Sequence, residues 1–185
     1  MTFNNKPNKI TTIISNQKII NGNKVKFTWI NCKDHNWLAP KTQSYALCFD
    51  KRGMILIGRK SKKHAWLLPG GTIERGESPE ETLRREAYEE VTIILGKIKL
   101  LGAQKVDYPK NPKKREGKLF YQLRYVAMIH KVENPKPDPD GGMIWERKFI
   151  RPDEFLKYLP WGAVGKHISE KAYDQFVKWN NKKIK

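Results

Sequence analysis

The chain has 185 residues, 38% hydrophobic and 11% aromatic, which suits one folded domain with a real core rather than a disordered chain. Lys and Arg total 37 against 19 acids, a net charge of +18, so anionic partners such as nucleotides, polyphosphates or RNA are favoured. No apolar run reaches the roughly 18 residues of a membrane span, the polar first residues have no signal-peptide core, and no membrane partner is expected. Two cysteines without metal or redox spacing predict a reduced, cytoplasmic setting.

Ile10 to Ile14 and Lys18 to Ile20 are short β-branched runs, and Asn21-Gly22 suits a hairpin turn. Lys24 to Ile30 alternates, with Val25, Phe27 and Trp29 on one face. Residues 1–43 therefore read as an N-terminal β extension that packs on the main domain, residues 44–185, or builds a homodimer contact. Cys32 and His35 have a zinc-like spacing, but no second ligand pair follows, so the spacing reads as chance. Tyr45 to Phe49 and Met54 to Gly58 are strands around the turn Asp50–Gly53. Arg59 to Lys63 is a basic loop leading into a further strand, Trp66-Leu67-Leu68-Pro69.

The next stretch carries the chemistry. Ser78 is placed as an N-cap, Pro79 at the first helical position and Glu81 to close a capping box. A helix from about Pro79 to Val91 puts Glu86, Glu89 and Glu90 within an arc of about 100°. Leu83, Ala87 and Val91 form an adjoining apolar stripe, and Glu77 sits just ahead of the helix. The Pro69-Gly70-Gly71 turn lets bare backbone approach whatever the acids hold. Carboxylates crowded on one face repel unless a cation sits among them, and hard oxygen donors suit Mg²⁺ or Mn²⁺. A solvated acidic face balanced by Arg84 and Arg85 is the alternative; the glycine turn, capping box, Glu77 and Arg85 together outweigh it.

Ile98 to Val106 reads as a strand, followed by Tyr108–Lys118, a loop with five Lys or Arg residues and two prolines. Leu119 to Ile129 is the longest strand, alternating Phe120, Gln122 and Arg124 against Tyr121, Leu123 and Tyr125. Asp138-Pro139-Asp140-Gly141 lacks the spacing of a calcium loop and reads as a turn. Ile144 to Ile150 is the last strand, Pro152 opens a short helix, and Ser169 to about Trp179 is a helix packed by Ala172, Phe176 and Trp179. Strands interleaved with two long helices predict an α/β sheet covered on both sides.

Gly71, Glu77, Arg85, Glu86, Glu89 and Glu90 follow the pattern G-x5-E-x7-R-E-U-x-E-E-x-G-U, in which U is a bulky aliphatic. The stretch resembles the signature box of the Nudix hydrolases. Ala87 is small where a larger aliphatic is usual, and Thr92 stands where the last glycine belongs. The resemblance implies the Nudix fold, a mixed β-sheet sandwiched between α-helices with the box as a loop–helix–loop. It covers the box and, in arrangement, the chain from about Ser44 onward.

The same resemblance implies hydrolysis of a phosphoanhydride bond in a nucleoside diphosphate-linked or nucleoside triphosphate substrate. Glu86, Glu89, Glu90 and the Gly70 carbonyl would hold Mg²⁺, with Mn²⁺ a substitute, and Arg85 would pair with Glu77 to fix the geometry. Glu86 and Glu146 are the candidates to take the proton of the attacking water; Glu146 also reads as a partner for Arg147 or Lys148. Arg59, Lys105, Arg115 and Arg124 are candidate phosphate contacts, and Tyr108, Tyr121 or Trp66 candidate base-stacking rings. Each also reads as a solvated cation or a core aromatic. A second reading is an enzyme on RNA 5′ ends, favoured by the charge and the basic loop. A third is a nucleotide sensor without turnover, which need not retain all the glutamates present.

Overall fold

A strand puts successive side chains on opposite faces. In the computed structural model, which describes residues 12–20, 22–109 and 118–181, that alternation sorts the core into two clusters. The chain runs through β1 (Thr12–Ile20), β2 (Asn23–Ile30), β3 (Lys41–Phe49), β4 (Ile55–Arg59), β5 (Gly70–Thr72), α1 (Pro79–Val91), β6 (Ile93–Tyr108), β7 (Lys118–Val132) and β8 (Glu146–Ile150). A 3-10 turn at Pro152–Glu154 leads into α2 (Phe155–Tyr158) and α3 (Gly162–Asn181).

The eight strands form one sheet in the order β1-β2-β6-β7-β3-β4-β8, with β5 paired to β3. β3 and β7 run parallel and the other pairs antiparallel, so the sheet is mixed. Ala46, Cys48 and Leu56 face α1 and meet its stripe Leu83, Ala87 and Val91. Leu47, Phe49 and Ile57 face the other way and meet Val164, Ile168, Ala172 and Phe176 of α3. Each fully buried Leu, Ile, Val or Phe contributes about 1.5–3 kcal/mol, so both helices are held to the sheet by packing rather than by propensity. This is the α/β sandwich expected.

Several boundaries move. The two short runs near the start are one strand, β1, with an irregularity in its pairing between Thr12 and Ser15. β2 pairs onward to β6, from Lys26 opposite Asp107 to Ile30 opposite Ala103, so the hairpin extends the same sheet. Trp66 to Pro69 makes only an isolated bridge between Gly58 and Leu67; the strand entering the box is β5, which the sequence shows as a glycine turn. β8 starts at Glu146 rather than Ile144. The last helix begins at Gly162, seven residues before Ser169, because Val164 and Ile168 continue its buried stripe despite Gly162 and Gly165.

Candidate active site

Helix α1 starts as its residues dictate. Ser78 is extended at φ −77° and ψ 156°, its hydroxyl accepts from the Glu81 N–H at 3.2 Å, and the Glu81 carboxylate accepts from the Ser78 N–H at 2.7 Å. Such a cap contributes about 1 kcal/mol. At the other end Thr92 occupies the left-handed conformation, φ 51°, and its N–H donates to the Ala87 and Tyr88 carbonyls. That is the conformation a glycine adopts freely at a helix end; in an L-residue it costs roughly 1–2 kcal/mol. The turn is kept by the Glu133 N–H donating to the Thr92 carbonyl at 3.0 Å and by the burial of Thr92.

Arg85 organises the acids. Its Nε donates to Glu77 Oε1 at 2.7 Å and its Nη2 to Glu77 Oε2 at 3.1 Å, a two-pronged pair. Nη1 reaches Glu89 Oε2 at 3.0 Å and Glu86 Oε1 at 3.1 Å, and Nη2 lies 3.6 Å from Glu74 Oε1. Thr82 Oγ1 adds a 2.8 Å bond to Glu77 Oε2. The expected Arg85–Glu77 pairing is therefore present, inside a wider network.

These bonds, that from Arg85 foremost, hold the Glu77 carboxyl at about 2, against an ordinary 4.5. A depressed acid stabilises the fold fully above its unfolded value and loses that contribution as pH falls through its folded value. Melting temperature should therefore drop between about pH 4.5 and pH 2, and Glu77→Gln should flatten that limb. An equally steep limb in the variant would refute the assignment.

Glu86 lies against bare backbone: a Cβ on Gly71 would come within 2.3 Å of its Oε1. Glu90 Oε2 accepts the Gly70 N–H at 3.2 Å, which ties the glycine turn to the acids of α1. Gly70 itself, at φ 135°, has no room for a side chain, since a Cβ would stand 2.2 Å from the Ser44 carbonyl oxygen. Burial, with the Glu86 and Asp138 charges, pushes Glu90 up to about 8 against the Gly70 N–H and Lys60. Burial also raises Glu86. Among the described residues, no three His, Cys, Asp or Glu side chains converge as a ready-made metal cage. Glu86 and Glu89 turn to Arg85 instead, and Glu90 to Gly70.

The remaining candidates disperse. Arg59 donates twice to Glu146 Oε2, at 3.0 Å and 2.6 Å, and stacks 4.4 Å above the Trp66 ring. Glu146 thus pairs with Arg59, its partner in the β4–β8 ladder, and not with Arg147 or Lys148. Strand alternation from Ile57 puts this pair on the α3 side of the sheet. Arg147 donates to the Val91 and Glu133 carbonyls, and Lys148 lies over Tyr158. Trp66 packs edge-on to Tyr158, and Tyr121 against the α1-side core. Lys105 stands between Thr28 and Tyr121 in the ladder, and Tyr108 ends β6 opposite Lys118. Arg124 is 3% exposed and donates to Gln104 and Gln122. Arg115, with the other basic residues from Lys110 to Arg115, lies outside the described residues.

The sequence does not reveal Asp138 as more than a turn residue. The Gly141 and Gly142 N–H groups do close that turn on its carbonyl, but the side chain is buried and accepts from Trp145 Nε1 at 2.8 Å. Its charge bears on Glu90 from another loop. Nothing in Asp-Pro-Asp-Gly signals that approach.

Residues 40–171 match the family model for the NUDIX domain. The chain belongs to the Nudix family, and with it to the enzymes that hydrolyse pyrophosphate bonds. The Bacillus subtilis pyrophosphohydrolase BsRppH, in a mutant form, is similar in structure at TM-score 0.64 and 19% identity, over 82% of this chain and 92% of that one. A Nudix hydrolase from Nitrosomonas europaea follows at 0.54 and 15%, over 74% and 90%. A MutT from a study of Aliivibrio salmonicida and Vibrio cholerae gives 0.50 and 15%, over 70% and 97%. At these identities the likenesses bear on the fold alone.

Proposed function

We propose that the protein is a Mg²⁺-dependent pyrophosphohydrolase acting on a free nucleotide, a nucleoside triphosphate or a nucleoside diphosphate joined to another group. The observation that carries this reading is the row Glu86, Glu89 and Glu90 on one face of α1, braced by Arg85 and flanked by the bare Gly70–Gly71 backbone. The donor set fits a hard dication: all its side chains offer carboxylate oxygen, and Glu90 carries a burial penalty that a positive charge would relieve. Mn²⁺ would suit the same donors. When bound, such an ion neutralises the phosphate oxygens and polarises phosphorus toward attack.

The protein's own groups do the rest. Arg85 holds Glu86 and Glu89 in place, and Gly71, by lacking a side chain, leaves room for the Glu86 carboxylate against the backbone. Water attacks phosphorus in line, one P–O bond forms, the bridging P–O bond breaks, and the water's proton passes to an acid. Glu86 is favoured for that role over Glu146, because Glu86 stands on α1 with Glu89 and Glu90 while strand alternation puts Glu146 on the α3 side of the sheet. Within this reading the N-terminal segment packs on the 44–185 domain, supported by the β2–β6 pairing of Lys26–Ile30 with Ala103–Asp107. Free Cys32 and Cys48 support a reducing, cytoplasmic setting.

The test is turnover with Mg²⁺ across nucleoside triphosphates, a sugar nucleotide, a dinucleoside polyphosphate and 5′-triphosphorylated RNA, with products separated by charge. Free nucleotides should be cleaved at the phosphoanhydride, and chelation should stop it. Cleavage confined to RNA would promote the RNA-end reading, and no cleavage at all would leave the sensor.

A further inference from the structure

Thr92 breaks the family pattern at a cost, standing left-handed where a glycine would sit without strain. What it meets there is the loop between β7 and β8. Its hydroxyl accepts the Lys136 N–H at 3.4 Å, and its carbonyl accepts the Glu133 N–H at 3.0 Å. One turn earlier, Tyr88 Oη donates to Glu133 Oε2 at 3.3 Å and accepts from Lys136 Nζ at 2.5 Å. Arg147, near the start of β8, closes the set. Its Nη1 donates to the Val91 carbonyl at 3.0 Å and to the Glu133 carbonyl at 2.9 Å. The end of α1 is therefore clasped by the chain on both sides of that loop.

Arg147 supplies what that end of the helix lacks. The last carbonyls of a helix have no partner within it, and the dipole leaves them partly negative, so cations stabilise that end and anions do not. α1 has no basic residue in its last turn and carries Glu89 and Glu90 there instead. Two carboxylates thus work against the turn that holds them. The half-buried Arg147 guanidinium, arriving from a different element, offsets them and ties down the final carbonyl. An apolar contact backs it: Trp145, 5% exposed, packs where Gly58 leaves room beside Val91, since a Cβ on Gly58 would stand 2.5 Å from Val91 Cγ1 and 3.2 Å from the Trp145 ring.

The acids depend on this unequally. Glu90 directly precedes Val91, and its carboxylate reaches the Gly70 N–H. Glu89 meets Arg85 at 3.0 Å. Fraying of the last turn would draw both away, while Glu86, one turn further in, keeps its place. We propose that Arg147 is a positioning residue for Glu89 and Glu90, with Thr92 as a second anchor, pinning the last turn of α1 to the β7–β8 loop. The inference rests on the metal reading above.

Hydrogen exchange on the metal-free protein reads the clasp without turnover. Arg147→Met keeps the length of the side chain and removes both bonds. It should speed exchange of the Glu90, Val91 and Thr92 amides by at least about 10-fold, the scale of losing hydrogen bonds to a charged group. The amides of β3 should stay as they were, because such opening is local. Titration with Mn²⁺ alone, followed by the spin resonance of the free ion, should show affinity about 10-fold weaker, as when a residue that orients metal ligands is lost. With a nucleotide, kcat should fall while KM for the nucleotide stays within about 2-fold. Arg147→Lys, whose ammonium can serve the same carbonyls, should recover most of each effect. Ala172→Gly, which weakens α3 on the far face of the sheet, controls for general destabilisation and should leave Mn²⁺ affinity unchanged.

Should Arg147→Met fail to fold, Thr92→Val removes the hydroxyl and keeps the shape. The same amides should then exchange about 3-fold faster, with Mn²⁺ weakened to match, as for one neutral hydrogen bond. Unchanged exchange in the last turn, or an equal loss of Mn²⁺ affinity in Ala172→Gly, would overturn the proposal. A loosened last turn with unaltered Mn²⁺ affinity removes the positioning role alone. A wild type that takes up no Mn²⁺ removes the metal reading, and the positioning role falls with it.

Discussion

Replacing Arg85 by alanine should lower the melting temperature by roughly 6–12 °C and depress turnover with it. One guanidinium faces Glu74, Glu77, Glu86 and Glu89, and its side chain is 23% exposed while that of Glu77 is 16% exposed. A pair so sheltered resembles a buried one, whose breaking leaves an uncompensated charge and costs about 3 kcal/mol at the lower end of the usual range. For a chain of this size each kcal/mol moves the melting temperature by about 2–4 °C. Loss of Arg85 also leaves Glu74 and Glu77 of the preceding loop repelling Glu86 and Glu89 of α1, so the loop from Gly71 to Glu77 loosens and Glu86 loses its fixed position. Scanning calorimetry and turnover on one preparation check both effects. Arg85→Lys should recover only part of either, since an ammonium cannot reproduce the two-pronged bond to Glu77. An unchanged melting temperature with unchanged turnover would mean the network is incidental.

Glu90→Gln should divide function from stability. Glutamine keeps the shape and can still accept the Gly70 N–H, but removes the charge. If Glu90 is a principal ligand, kcat falls by at least ~10²-fold, the scale of losing a main charged group at such a site. Stability should move the other way. Glu90 is sheltered beside Glu86 and Asp138, and its carboxyl is raised to about 8. A raised acid destabilises the fold as pH climbs above its unfolded value near 4.5, so at neutral pH the neutral isostere relieves that burden. The melting temperature of metal-free Glu90→Gln should therefore equal or exceed that of the wild type. Wild-type turnover, or a large drop in melting temperature, would remove Glu90 from the proposed role.

These acids were legible because their geometry is local. Capping box, helix and carboxylate arc all lie within a few residues, where 3.6-residue periodicity decides which side chains meet. Arg85 and Glu77, eight residues apart, were still within reach of that logic. Glu146 was not: its partner Arg59 is 87 residues away and is set by the β4–β8 register. The β3–β7 parallel pair could not be read from alternation, which assigns faces but not neighbours. β5 was hidden by its own composition, since Gly70-Gly71-Thr72 looks like a turn until β3 pairs with it. Gln104 and Gln122 carried a faint signal, as polar residues on the inward side of long strands; only the ladder that sets them opposite one another gives it meaning.

The hairpin β1–β2 meets the rest of the chain late. Phe27 lies opposite Val106, and Asn16 bonds to the Trp161 carbonyl across 145 residues. During synthesis the first strands therefore emerge long before β6 and α3 exist to receive them. Contacts of such separation are reached only after much of the chain has been ordered, which slows folding and leaves them to the end of the process. β1 remains an edge strand with one paired side, and Ile19 is 70% exposed. Local opening of a fold starts where few contacts must be broken. An opening that begins at this edge therefore parts β1 from β2 and leaves β3 and β5, which flank the acids of α1, undisturbed.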